Sequence, residues 1–230
     1  MDNREKIITK NSWAHNIKKY DLFWPDENII RFLNKSYDKL DRDKIKVLDL
    51  GCGSGRNSIA IASEGFNTYS IDYNKECIDI TKEKATNLGL NLELSQNEGN
   101  EIPFNDNYFD CVIAWGSLFY NDSNGRIELL NEINRVLKKE GTFLANWRTT
   151  EDYFYKKGEE IEKNTFFLDE SCKKFGLQDI LYYFAEQNDL KKLYNKTGFH
   201  IYNFDKKDFY TNNLEVKNSH WHVWARKNNI

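Results

Sequence analysis

The stretch Lys46-Val-Leu-Asp-Leu-Gly-Cys-Gly-Ser-Gly-Arg56 constrains the fold more than any other part of this 230-residue chain. Lys46 to Leu50 is a short apolar run that reads as a buried strand. It enters three glycines in five residues, and the segment after them, Asn57 to Glu64, is helix-like and stops at Gly65. Glycines directly after a strand let the backbone turn tightly and approach a bound ligand. The dinucleotide fingerprint GxGxxG wants its third glycine at position 56, which is Arg56 here, and an acid, Asp49, stands two residues before the first glycine. An acid there repels a pyrophosphate but not a cationic amino-acid group, so a nicotinamide oxidoreductase is disfavoured.

The alternation continues downstream. Thr68 to Asp72, Leu92 to Gln96, Phe109 to Trp115 and Thr142 to Trp147 read as strands. Between them, Lys75 to Leu88 reads as a helix stopped at Gly89, and Ile127, Leu130, Ile133 and Leu137 mark another that ends before Gly141. Strands alternating with helices predict a parallel α/β sheet, whose ligands sit beyond the carboxyl ends of the strands. Ahead of it, Pro25-Asp26-Glu27 reads as a helix start with Pro25 at the first helical position, followed by Ile29, Leu33, Tyr37 and Leu40. After residue 150 the alternation breaks, and residues 151–185 read as an insertion or lid. Asn188 to Asn195 reads as a helix. Phe199 to Phe204 and Trp221 to Ala225 read as two final strands, joined by about fifteen residues and able to pair antiparallel. The chain is one domain: a helical cap over 1–40, a core over 41–150, the insertion over 151–185, and a C-terminal helix and hairpin over 186–230.

Asp72 ends the second strand about twenty residues after the glycines, where a carboxylate accepts hydrogen bonds from ribose hydroxyls. Tyr73 can cover an adenine face. The formal net charge is −3 with no polybasic run, which disfavours nucleic acid as a partner. No apolar stretch approaches the roughly 20 residues of a membrane span, and no signal peptide is visible, so a cytoplasmic chain without membrane insertion is expected. Cys52, Cys77, Cys111 and Cys172 form no CxxC pair, and neither a metal site nor a disulfide framework is expected.

VLDLGCGSG, SIDYN, NEGNEIPFNDNYFDCVIAWGSLFY and EINRVLKKEGTFL, in this order across residues 46–147, resemble class I S-adenosylmethionine-dependent methyltransferases. The resemblance implies a Rossmann-like α/β fold: a mostly parallel seven-stranded sheet of order 3-2-1-4-5-7-6 with an antiparallel last strand, and helices on both faces. It implies S-adenosylmethionine as cofactor, S-adenosylhomocysteine as product and a small-molecule substrate. Carried over position by position, Asp49, Gly51, Cys52 and Gly53 lie along the methionine part, Asp72 holds the ribose and Tyr73 flanks the adenine. Asn100, with Glu101 beside it, stands where many members bind the adenine amino group, and Trp115 packs near the sulfonium.

The tract after strand four, Trp115-Gly-Ser-Leu-Phe-Tyr120, lacks the Asp/Asn-Pro-Pro-aromatic motif of members that methylate base amino groups. The loop resembles that of tellurite-resistance methyltransferases. Phe23-Trp-Pro-Asp-Glu27 and the aromatic insertion resemble small-molecule methyltransferases of bacterial surface-polysaccharide pathways. The favoured acceptor is an oxygen of a sugar or sugar-phosphate-like intermediate. The alternatives are a chalcogen oxyanion, thiol or amine, or, in another class, a non-catalytic protein that binds through the same fold. An oxygen acceptor benefits from a general base. Tyr20, His220 and His15 are the candidates, from a wider set with His222, Tyr120, Asp152, Tyr153 and Glu159. Arg56, Tyr120, Arg148 and Tyr153 are the candidates to touch the acceptor, the arginines through an anionic group.

Overall fold

The computed structural model describes residues 22–97 and 100–228. His15 and Tyr20 lie outside them. Strand β1 (Lys46–Leu50) is flanked by β2 (Asn67–Asp72) and β4 (Phe109–Ala114), with β3 (Glu93–Gln96) outside β2 and β5 (Leu137–Thr149) outside β4. All of these pairings are parallel. Hydrogen bonding follows 3-2-1-4-5, after which β10 (Val216–Lys227) joins β5 antiparallel and β9 (Phe199–Thr211) joins β10. With those two last strands as the sixth and seventh, this is the expected 3-2-1-4-5-7-6 sheet.

Helix α1 (Glu27–Tyr37) starts at Asp26, not at Pro25. The Asp26 carboxylate accepts from the Asn28 amide at 3.0 Å, the N-cap role for which a short acidic side chain is suited. Proline lacks both the side-chain acceptor and the N–H that Asp26 uses to bond Asn57 Oδ1 at 3.1 Å. Ile29, Phe32, Leu33 and Tyr37 form the buried stripe of α1 and pack with Val47, Cys111, Ile113, Leu144 and Trp224 on one face of the sheet. Helices α2 (Arg56–Ser63) and α3 (Lys75–Asn87) follow β1 and β2. Helix α4 (Ser123–Val136) and α5 (Gln187–Lys196) belong to the other, larger core. There Leu130, Ile133, Leu190 and Tyr194 meet Phe143 and Trp147, and the Trp147 indole donates to the Tyr194 hydroxyl at 3.0 Å.

Two expectations about the end of the chain are corrected. The final strands are not short segments with a long link. They are 13 and 12 residues and turn directly between Asn212 and Glu215. The half missed in the sequence is polar because it projects past the core. It is held by backbone pairing and by ion pairs of Lys206 and Lys217 with Glu151 and Asp208 at 2.6 to 3.6 Å, so it shows no apolar alternation. Likewise β5 is far longer than Thr142–Trp147.

The tail of β5 matters for the site. Its Arg148 and Thr149 pair in parallel with Phe184 and Ala185 of β8 (Leu181–Ala185). Because β10 occupies the opposite edge of β5 from Thr142 to Arg148, β8 shares the β4 edge of β5 and stands beyond the end of β4. Strands β6 (Glu159–Glu162) and β7 (Thr165–Phe167) extend β8 antiparallel. Residues 151–185 therefore build a small three-stranded sheet over the carboxyl end of β4, and its Tyr182 stacks on Phe119 with ring centres 5.4 Å apart.

Candidate active site

The glycine turn is fixed from three sides. The Gly51 and Cys52 amides donate to the Ile71 carbonyl at 2.9 and 3.1 Å, tying the turn to the end of β2. Gly51 has φ +76°, and a Cβ there would lie 2.7 Å from Cβ of Ser117, which follows β4. Gly55, φ +84°, caps α2, and a Cβ on it would meet the Thr81 side chain of α3 at 2.5 Å. Gly55 thus does the close-packing work that a third glycine at position 56 does in the dinucleotide fingerprint. Arg56 is free to point outward, where its Nη1 donates to the Trp24 carbonyl at 3.2 Å. It lines a surface groove with Phe23, Trp24, Ile59, Lys84 and Leu88, which contains none of the side chains at the ends of β2 and β4.

Two carboxylates are buried against this turn. Asp49 accepts from the Ser58 hydroxyl at 2.6 Å. Burial pushes its carboxyl up to about 6, opposed by the Ser58 hydrogen bond and helped by the nearby Asp72 charge. Asp72 accepts from the Gly53 amide at 2.9 Å with one oxygen and from the Asn74 amide at 2.9 Å with the other. Burial raises its carboxyl too, against those bonds. Tyr73 follows it, its phenol pushed up by burial and by the Asp72 charge. Cys52 is buried beneath the turn, its thiol driven well up by burial and by the two acids. It is therefore a neutral thiol packed as an apolar group. Asn100, beyond β3, gives its amide nitrogen to Glu128 at 2.6 Å and keeps its oxygen as an acceptor, while the Glu101 carbonyl receives the Asn97 amide.

Beyond β4, the Trp115 indole donates to Asp26 Oδ2 at 3.1 Å, and the Gly116 amide donates to Asn146 Oδ1 at 2.6 Å. Asp26 therefore caps α1, holds Trp115 and bonds the start of α2 through Asn57. On β5 and β10, opposite residues share a face. Leu144 faces Trp224, Asn146 faces His222 and Arg148 faces His220. The row runs from apolar under α1 to polar at the carboxyl edge. The His222 ring meets Trp115 at 4.7 Å. Burial, then the Arg148 guanidinium, lowers His220 to about 3, while burial lowers His222 to about 4. Both imidazoles are neutral at pH 7.

Arg148 does not stand open for an anion, as its sequence position suggested. Its Nη1 donates to Asp152 Oδ2 at 2.8 Å, and the Asp152 side chain is fully buried. The guanidinium lies 5.3 to 5.9 Å from the ring centres of Phe119, Phe154 and Tyr182. Tyr120 and Tyr182 hydroxyls approach to 3.2 Å. Tyr153 stands at the border of this cluster, its ring edge-on to Phe154 at 5.2 Å and against Phe175, with the Lys157 ammonium over it. Sequence reasoning missed Ser117, Asn146, Asp26 and Tyr182. Ser117 and Asp26 are short polar residues beside strand or helix ends, a signal shared with ordinary turns, and Asn146 is a single polar residue between Ala145 and Trp147 inside β5. Tyr182 was hidden in an apolar run.

Among the described residues, no cluster of three or more His, Cys, Asp or Glu side chains is placed to hold a metal ion. Nor is any helix there long and apolar enough to cross a membrane. Asp26→Ala removes the cap and strands the Trp115 indole. About 1 kcal/mol is expected for the cap and about 1–3 kcal/mol for the unsatisfied N–H. Urea unfolding should therefore show a loss of about 2–4 kcal/mol, whereas Asp26→Asn, which keeps an acceptor, stays within about 1 kcal/mol of the parent. Equal stability of the alanine variant contradicts the linkage.

Residues 47–141 match the sequence model described as "Methyltransferase domain". The chain is 38% identical over 104 residues to YqeM of Bacillus subtilis, covering 44% of this chain and 42% of that protein. It is 34% identical over 100 residues to the demethylmenaquinone methyltransferase of Lactobacillus johnsonii, covering 41% and 40%. The match thus spans about two-fifths of the length of these curated relatives. Among solved structures, one described as a SAM-dependent methyltransferase from Methanosarcina mazei superposes with a TM-score of 0.69 at 24% identity, over 80% of this chain and 92% of that one. Residues 47–141 thus carry the sequence pattern of a methyltransferase domain, and the chain shares the fold of that solved S-adenosylmethionine-dependent methyltransferase.

Proposed function

We propose that this protein transfers a methyl group from S-adenosylmethionine to a small-molecule acceptor, seated beyond the ends of β4, β5 and β10. The observation that carries the reading is the glycine turn with two buried carboxylates and unspent polar atoms around it. Ser117 Oγ, packed against Gly51, and Asn74 Nδ2, at the start of α3, are buried without a protein partner. Buried polar groups are normally satisfied, and an adenosyl amino acid is rich in the groups that would satisfy these. The residues present fit the cofactor. Asp49, with the backbone of Gly51 to Gly53 alongside, would hold the methionine part, Asp72 the ribose, and Tyr73 the adenine face, while Trp115 offers a ring face to a cation.

When bound, S-adenosylmethionine supplies an electrophilic methyl on a sulfonium, whose leaving group is a neutral thioether. The chain's own task is then to align an acceptor and exclude water, which accounts for much of such a barrier. The small sheet of β6, β7 and β8 over the end of β4, with its own Tyr182 packed among Phe119, Tyr120 and the Arg148 guanidinium that Phe154 also faces, supports a ring-shaped acceptor held by aromatic faces. A sugar-type hydroxyl, favoured from the sequence, suits such walls. So does a reduced quinone, the acceptor type that the name of the Lactobacillus relative suggests. Incubation with methyl-tritiated S-adenosylmethionine and a panel of hydroxylated sugars, nucleotide sugars and naphthohydroquinones should move label into a small product. Label that stays on the donor across the panel argues for the non-catalytic alternative.

The Asp49 carboxyl gives a pH test. An ammonium group binds the charged carboxylate, so binding displaces the Asp49 proton wherever the free protein carries one. With that group at about 6, S-adenosylhomocysteine affinity is expected to be flat from pH 7 to 8. It should fall progressively below pH 6, towards about tenfold per unit. Asp49→Asn should flatten the dependence; a wild-type affinity unchanged down to pH 5 contradicts the assignment.

A further inference from the structure

Arg148 and His220 stand directly opposite each other on β5 and β10, on the face that carries Asn146 and His222. Arg148 Nε and His220 Nε2 are both buried without a protein partner. Their residues still reach the surface at the carboxyl edge, where Arg148 keeps 13% of its side-chain area exposed. One atom is a permanent N–H donor, and the other belongs to a neutral imidazole, which offers a lone pair on one of its ring nitrogens. Burial and the adjacent guanidinium keep that ring uncharged.

The charge of the seat is already closed. The Arg148 guanidinium is balanced by Asp152, whose carboxylate also accepts from the Ser219 amide at 3.0 Å and the Phe154 amide at 3.0 Å. An anionic acceptor beside this pair would add an uncompensated negative charge to a largely buried site, which is costly. A hydroxyl differs, because it both accepts and donates, and it can satisfy an N–H and a ring nitrogen together. Phe119, Phe154 and Tyr182 supply apolar ring faces around the same guanidinium.

Resting on the methyltransferase reading above, we propose that the acceptor is an uncharged ring compound whose hydroxyl is held between Arg148 Nε–H and the imidazole of His220. Phosphorylated acceptors are then excluded, which removes the sugar-phosphate half of the sequence expectation and keeps uncharged sugars and hydroquinones. The built-in ion pair is the specificity device. Arg148 presents a hydrogen bond without presenting a free charge.

The test uses the full chain saturated with S-adenosylhomocysteine, titrated by calorimetry with 1-naphthol and with 1-naphthyl phosphate. The proposal expects naphthol to bind at least tenfold tighter than its phosphate ester. It expects His220→Leu to weaken naphthol at least tenfold while S-adenosylhomocysteine binds as before, and His220→Gln, which keeps an acceptor, to recover most of the loss. Tighter binding of the ester, binding of neither compound, or a leucine variant that binds naphthol unchanged would each overturn it. Absence of heat from S-adenosylhomocysteine itself would instead sink the underlying methyltransferase reading, a separate result seen before either naphthyl compound is added.

Discussion

Two carboxylates buried side by side at one backbone turn set the terms for the rest of this molecule. Asp49 and Asp72 end adjacent strands and are both taken out of water, which disfavours their charged forms. Each is retained by dedicated donors: a serine hydroxyl from α2 for Asp49, and the Gly53 and Asn74 amides for Asp72. The turn must therefore keep its Gly53 amide pointed at Asp72 and its Gly51 and Cys52 amides at the Ile71 carbonyl, which the positive φ angles of Gly51, Gly53 and Gly55 allow. Ser117 and Thr81 crowd the same glycines, so β4 and α3 are positioned by the turn as well.

A second constraint radiates from Asp26. One side chain caps α1 and receives the Trp115 indole, while its backbone amide reaches α2. The N-terminal helix, the glycine-turn helix and the end of β4 are thus tied at one point. The polar end of the β5–β10 row begins next to it, at His222 and Asn146. The cleft proposed for the cofactor and the seat proposed for the acceptor share this wall. A change at Asp26 is expected to be felt on both sides of it.

Most of the central sheet was legible because its strands are apolar runs punctuated by glycine, and period and punctuation survive without tertiary information. The same reasoning located Asp49, Asp72 and Trp115, whose positions follow from strand ends alone. It failed where stability comes from pairing instead of burial. Residues 205–211 and 216–220 form strands on polar sequence, because each is satisfied by its hairpin partner and by lysine–carboxylate contacts. Arg148 was visible as a residue just past the core of β5. Its partner Asp152 sits only four residues on, but nothing in the spacing reveals that the aspartate is fully buried and neutralises it. Whether an arginine is a free anion hook or a closed ion pair is decided by packing around it, and that information lies in the fold.

The central claim is that the turn and its two acids form an adenosyl-ligand site. Calorimetric titration with S-adenosylmethionine, S-adenosylhomocysteine and NADH, on the parent and on Asp72→Ala, tests it most directly. The account predicts micromolar binding of the two adenosyl-sulfur ligands, no comparable binding of NADH, and loss of the former in the variant, with the variant's fold checked by circular dichroism. Folded parent protein that binds neither S-adenosylmethionine nor S-adenosylhomocysteine, or that prefers NADH, would contradict it.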